Sequence, residues 1–341
     1  MDQRGPQIPA DGDGIILMQT PVFLDHLPDI DAVIGQKPAQ YRLHRKKALI
    51  ELMLDEATTW HIRGACPACG QSSARNRIFS QTLMEFRRCM GCNSIYSEQV
   101  PDQATLDQLR LEQMAAIEED ALQDREFEFI SLMNWISLTE ARLERELDRV
   151  LDIRFSSQAP AWPDAIARLS HKRDWELLAL VPEDGNFSDL RRTIAKAAPK
   201  AILMPAELDR VADPAALLKA VKETAAPGTV IFAASSCADG LEYEILAADS
   251  PSFVPLDRLT VLSVKGAELL STRLGLRVLE MSTPGRLDAV ILDRYFNSAT
   301  NTNIPFWSSF FHEADKNRLR DLQILLQRSL KSGVLRFVLE T

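Results

Sequence analysis

The chain has 341 residues, of which 26% are charged and 46% hydrophobic, and carries a formal net charge of −9. That length holds two domains, or one large domain with an appendage. The acidic balance argues against non-specific binding of the whole chain to nucleic acid, and no apolar run approaches the roughly 18 residues that a membrane span requires.

Residues 1–20 are rich in Gly, Pro and Asp, a composition expected to be poorly ordered. The run Gly14-Ile15-Ile16-Leu17-Met18 is short, and Asp11 and Asp13 stand where a secretory signal carries basic residues, so none is expected. Residues 39–57 read as a helix, with basic Arg42, His44, Arg45, Lys46 and Lys47 leading into Ala48-Leu49-Ile50-Glu51-Leu52-Met53-Leu54. Residues 1–60 form an N-terminal extension on this reading.

Within residues 61–100 stand two cysteine pairs, Cys66-Pro67-Ala68-Cys69 and Cys89-Met90-Gly91-Cys92. A C-x-x-C turn folds back so that both sulfurs point the same way. Two such knuckles joined by a hairpin complete the tetrahedron that zinc takes with thiolates. Arg77-Ile78-Phe79 and Met84-Glu85-Phe86 are placed to supply the hairpin strands. Four separate thiols, a redox pair and an iron–sulfur cluster compete with this zinc ribbon. A thioredoxin-like redox site, however, needs one C-x-x-C after a strand, not two. With four thiolates the coordination shell is closed, so the zinc is expected to be structural. Cys237 stands alone and reads as a small core residue. An odd cysteine count with four in metal spacing suits a reducing cytoplasm. The ribbon is locally basic, with Arg63, Arg75, Arg77, Arg87 and Arg88 against Glu85 and Glu98. No basic patch with interleaved aromatics accompanies them, so a solvated positive face is preferred to a nucleic-acid interface.

Residues 101–148 read as an acidic, largely helical linker, in which Ser137-Leu138-Thr139-Glu140 has the form of a capping box starting a helix that runs to about Asp148. From Arg149 to residue 341 short apolar runs alternate with helical segments: Val150-Leu151-Asp152-Ile153, Leu177 to Val181, Ala201 to Met204, and Thr229 to Ala233. Alternation of this kind implies a parallel α/β sheet. Asp213 is placed to cap a helix, Pro214 takes its first position and Pro227-Gly228 ends it. Leu276 to Met281 and Leu287 to Leu292, joined by Ser282-Thr283-Pro284-Gly285-Arg286, suggest an antiparallel hairpin closing the sheet edge. Phe306-Trp307-Ser308-Ser309-Phe310-Phe311 is either a helix start packed on the core or a contact surface.

In this order the segments resemble the class I S-adenosylmethionine-dependent methyltransferases that carry an N-terminal zinc ribbon, several of which act on nucleotide sugars or related small metabolites. The resemblance covers roughly residues 62–341. After the ribbon, Arg149-Val150-Leu151-Asp152-Ile153 matches the family's first strand. Leu208-Asp209-Arg210-Val211-Ala212-Asp213-Pro214 is similar to its "L-E-H-V-x-D-P" segment, and Ala226-Pro227-Gly228-Thr229 to "L-x-P-G-G". Ser282 to Asp288 is similar to "T-P-G-K-L-D", and Leu330 to Arg336 to a terminal "L-S-S-H" strand. The implied fold is a Rossmann-like methyltransferase domain, mostly parallel and closed by an antiparallel edge hairpin, with S-adenosylmethionine as cofactor.

The functional residues of that family are not matched. Its "D-x-G-x-G-x-G" loop needs glycine for close backbone approach and positive φ. Here the loop reads Asp152-Ile153-Arg154-Phe155-Ser156-Ser157-Gln158, with side chains at all three glycine positions. The acidic residue that ends the second strand is replaced by Val181, with Pro182, Glu183 and Asp184 next in the chain. Histidines of the family become Arg210, Arg258 and Gly333, and arginine cannot act as a base near neutral pH. The two acid–arginine pairs, Asp209-Arg210 and Asp257-Arg258, are read as surface or interface ion pairs. These residues are compatible with two functions. One is a degenerate methyltransferase serving as scaffold or regulatory partner of an active enzyme, bound to a protein partner or to its own copy. The other is a divergent active enzyme with a small-molecule substrate. In that second case Asp152, Arg154, Ser156 and Glu183 would hold the cofactor.

Overall fold

The computed structural model describes residues 39–102, 104–106, 108–109, 125–154, 173–179, 187–205, 208–298 and 304–341. The expectation for residues 1–20 falls outside these, as do those for Ser156 and Gln158 in the loop and for Val181, Glu183 and Asp184.

The expected N-terminal helix spans Ala39–Leu54. In the ribbon, β1 (Trp60–Ile62) pairs antiparallel with β5 (Gln99–Pro101). The hairpin forms where the sequence places it, as β2 (Arg77–Gln81) and β3 (Met84–Arg88), and β3 continues onto β4 (Ile95–Ser97). A fourth strand joins this small sheet from far downstream. It is β10 (Thr260–Val261), with Thr260 opposite Tyr96 and Val261 opposite Ile95. The ribbon is therefore sewn into the segment that comes after the central parallel strands.

The central sheet has the order β11-β12-β9-β8-β6-β7. Strands β6 (Arg149–Arg154), β7 (Asp174–Ala179), β8 (Ala201–Met204) and β9 (Val230–Ser236) run parallel. Their side chains explain this: β8 and all of β9 but its last residue are buried, as strands covered on both faces must be. Strand β7 starts three residues before the expected Leu177. Between β8 and β9 runs the helix Pro214–Thr224, whose N-terminal amides of Ala215 and Ala216 donate to Asp213 Oδ1 at 2.9 and 3.1 Å, as its capping signal requires.

An antiparallel strand does close the sheet, but not as a hairpin. The partner of β11 (Arg277–Ser282) is β12 (Val334–Glu340), which also pairs with β9. Apart from Leu287 the run to Leu292 is helical, forming the start of Asp288–Ser298. Buried Ala289, Leu292 and Phe296 recur at helical spacing, and a short apolar run does not by itself separate strand from helix. The capping box is also corrected. Ser137 to Glu140 lie inside the helix Arg125–Leu143, where Thr139 Oγ1 donates back to Trp135 O and Glu140 accepts from Leu147 N at 2.7 Å beyond the helix end.

One face of the sheet packs Leu151, Ile153, Ile202 and Ile231 into the same core as Cys66, Cys89, Cys92 and Tyr96 of the ribbon. The other face meets Phe129, Leu132, Trp135 and Ile136 of the helix Arg125–Leu143. The helices Asp288–Ser298, Pro305–Glu313 and Lys316–Arg328 gather a further core. There the aromatic run divides: Phe311 is buried and stacks on Phe296 at 5.2 Å, whereas Phe306 is exposed.

Candidate metal centre and crevice

The two knuckles have the same backbone design. Gly70 N donates to Cys66 O, and Asn93 N to Cys89 O, both at 2.8 Å; Cys66 N and Cys89 N donate to Gln71 O and Ser94 O, both at 2.9 Å. Such a tight return puts the residue after the second cysteine in the left-handed region, at φ 77° for Gly70 and 67° for Asn93. Glycine and asparagine are the residues that bear this at least cost. The four Sγ atoms lie within 4.8 Å of one another, with Cys66–Cys92 at 3.6 Å and Cys69–Cys89 at 3.5 Å. A tetrahedral ion with sulfur bonds of about 2.3 Å needs sulfur–sulfur edges of about 3.8 Å, whereas a disulfide needs about 2.05 Å. The set fits a tetrahedral thiolate ion and is not cross-linked. The Cys66–Cys92 contact pushes the Cys66 thiol up and draws Cys92 down, while burial raises Cys69.

The knuckles are gripped by the helix Val264–Leu274. Arg273 Nη1 donates to Ala68 O at 2.6 Å and to Pro67 O at 3.2 Å. At Gly266 a Cβ would fall 2.0 Å from Ser94 Oγ, so only glycine lets the helix sit this close to the second knuckle. Three of the five ribbon arginines are used in packing of this kind. Arg63 Nη1 donates to Leu259 O and Thr260 Oγ1, Arg87 pairs with Glu98 at 2.5 Å, and Arg88 pairs with Glu244 at 2.7 Å. Arg75 and Arg77 are exposed.

In open α/β sheets ligands bind outside the carboxyl ends of the strands where successive connections diverge, which here lies between β6 and β8. Asp152 and Arg154, both at the end of β6, meet there. They sit two residues apart on one face of the strand, and Arg154 Nε donates to Asp152 Oδ1 at 2.7 Å. Asp152 is fully buried.

The acid–arginine dipeptides do not form surface pairs. Arg258 Nη1 lies 2.7 Å from each carboxylate oxygen of Asp209, which is fully buried, and Ser236 N at the end of β9 donates to Asp209 Oδ2 at 2.9 Å. Arg210 lies 3.5 Å from Asp257, also buried. Each arginine thus reaches the acid of the other dipeptide, while Arg258 Nε also stays 3.6 Å from its own Asp257, because the backbone amides of Leu259 and Thr260 both donate to Asp209 O and bring the two segments together. Burial lowers the Arg258 pKa, but Asp209 and Asp257 outweigh it and the net shift is upward.

Two buried carboxyls beyond this network carry no sequence signal as site residues. Asp288 Oδ2 accepts from Gln323 Nε2 at 3.0 Å and Ser332 Oγ at 3.1 Å, and burial raises its pKa. Glu242 accepts from Ser252 Oγ at 3.1 Å and from Ser250 Oγ; burial and then the charge of Asp288 push it up to about 7. Cys237 is buried, as expected of a core thiol.

No protein-family model matches the chain, and no curated protein does so either. Among solved structures, the chain is similar to the plantazolicin methyltransferase BpumL in complex with SAH, at 13% identity over 70% of this chain and 95% of that one, with a TM-score of 0.42. It is also similar to the geranyl diphosphate C-methyltransferase of Streptomyces coelicolor, at 12% identity, 66% and 87% coverage and a TM-score of 0.34. A third is the [4+2]-cyclase SpnF, at 11% identity, 61% and 80% coverage and a TM-score of 0.33. At these scores the likenesses carry no argument about function, which has to be read from the chain's own residues.

Proposed function

We propose that this protein is a methyltransferase-like scaffold or regulatory partner of an active enzyme, with structural zinc on Cys66, Cys69, Cys89 and Cys92 and without catalysis of its own. The observation that supports this reading is the internal pairing at the carboxyl ends of the sheet. Asp152 is held by Arg154 and Asp209 by Arg258, so these carboxylates are already matched with protein cations rather than presented to a ligand. A buried ion pair fixes geometry, and its charges are costly to pull apart. That the sequence has Arg154, Ser156 and Gln158 where the family's loop has glycine supports the same reading.

Calorimetric titration of zinc-replete protein with S-adenosylmethionine, and separately with S-adenosylhomocysteine, tests it. No heat up to millimolar ligand is expected. Micromolar binding would refute the reading and favour a divergent active enzyme whose acceptor is a nucleotide sugar or other small metabolite, with Arg154 the first residue to substitute.

A further inference from the structure

We infer that the metal knuckles hold in place a wall beside the carboxyl ends of β8 and β9, so that losing the metal loosens this wall while the parallel sheet stays folded. The inference rests on the zinc-ribbon reading but not on whether the crevice takes a methyl donor.

The wall is the segment from Arg258 to Val264, and it takes polar partners from the ribbon as well as from Asp209, Val254, Ala238 and Asp239. Leu259 O accepts from Ser97 N at 2.9 Å and from Arg63 Nη1 at 3.1 Å. Thr260 Oγ1 accepts from Arg63 Nη1 at 2.9 Å, and Thr260 and Val261 pair with Tyr96 and Ile95. Ser263 N donates to Ser94 Oγ at 3.1 Å, and Ser263 Oγ donates to Cys92 O. Asn93 Nδ2 reaches Asp239 Oδ1 at 2.8 Å, while Asp239 Oδ2 accepts from Val264 N at 2.8 Å. Arg63 also donates to Ala212 O, three residues beyond Asp209. Its one guanidinium thus ties the ribbon to both segments that carry the Asp209–Arg258 pair.

The geometry of residues 93–97 is set by the knuckle that ends at Cys92. Without an ion, four crowded thiols offer one another only weak S–H contacts, and a left-handed Asn93 must be held by its neighbours alone. Strands β8 and β9 have a separate source of order. They pair with each other from Ala201–Val230 to Met204–Ala233, and although Ile202 and Ile231 share a core with the knuckles, Ala201, Leu203, Val230 and Phe232 pack on the helix Arg125–Leu143 across the other face. Loss of the knuckles should therefore act on Arg258 and spare the sheet.

Hydrogen exchange read by mass spectrometry distinguishes these units. The full chain would be compared with its zinc bound and after zinc removal by a chelator under reducing conditions, with zinc measured per chain in both. On removal, the amides of Leu259 and Thr260 are expected to lose protection together with those of Cys66 and Cys89, while Ile202 and Ile231 keep theirs. Retained protection at 259–260 once the knuckles have opened would overturn the inference, and so would loss of protection throughout β8 and β9. Arg63→Gln supplies the second arm: with zinc still bound, protection at 259–260 should fall. A variant that keeps both its zinc and its protection there overturns the coupling. A chain that takes up no zinc in excess metal overturns the ribbon reading itself, a separate failure.

Discussion

Replacing Arg258 by Met tests whether the crossed ion pair organises the crevice. The change keeps most of the side-chain volume and deletes the guanidinium that lies 2.7 Å from both oxygens of Asp209. Asp209 would keep its bond from Ser236 N but would remain a fully buried carboxylate without its cation. Removing one partner of a buried pair costs about 3–5 kcal/mol, because the remaining charge has lost its solvent and its counter-ion together. Against a typical domain stability of about 5–15 kcal/mol that loss is about a fifth of the total or more. The exposed pair Arg192–Asp189, on the first turn of a helix, is the internal control and should contribute about 0.3–0.5 kcal/mol. Urea unfolding of zinc-bound protein measures both. A double-mutant cycle with Asp209→Asn should then recover much of the loss, since the neutral amide needs no cation. If Arg258→Met falls within about 1 kcal/mol of the parent, or the cycle is additive within about 0.5 kcal/mol, the pair does not organise the crevice.

Glu242 makes stability fall with pH. Its folded pKa, about 7, lies above the ordinary 4.5, so the folded chain binds this proton more tightly. Its contribution is full below the ordinary value and lost as pH rises through about 7, a change of roughly 3 kcal/mol. Glu242→Gln should flatten unfolding midpoints between pH 5 and 8, and an unchanged slope would exclude this residue as the source. Cys66→Ser should lower bound zinc by emission spectrometry and expose the ribbon to proteolysis; a variant equal to the parent in both would count against the metal site. Gly266→Ala should cost about 1–3 kcal/mol in thermal or urea unfolding, because its Cβ meets Ser94 Oγ at 2.0 Å and the helix must back away from the second knuckle. A neutral substitution there would mean that the helix and knuckle are not in close contact.

What the sequence determined by itself was set by forces acting over a few residues. Two C-x-x-C turns are local geometry, and their spacing announced the sulfur cluster before any fold was known. The cap at Asp213 and the apolar runs of β6, β8 and β9 are local in the same sense, since capping and strand burial are decided by neighbours and by period. Tertiary structure decided the rest. Asp209 finds Arg258 rather than the arginine beside it, because Leu259 and Thr260 bond to Asp209 O and set the two segments side by side. The partner of β11 is a strand that begins at Val334, and Asp288 to Leu292 instead opens a helix that buries Ala289 and Leu292 in one core with Phe311. Arg63 shows nothing in sequence beyond a basic residue near a cysteine. Only the packing of β10 onto β4 surrounds it with the carbonyls that need its donors, since a buried polar group takes its partners from whatever the fold brings within reach.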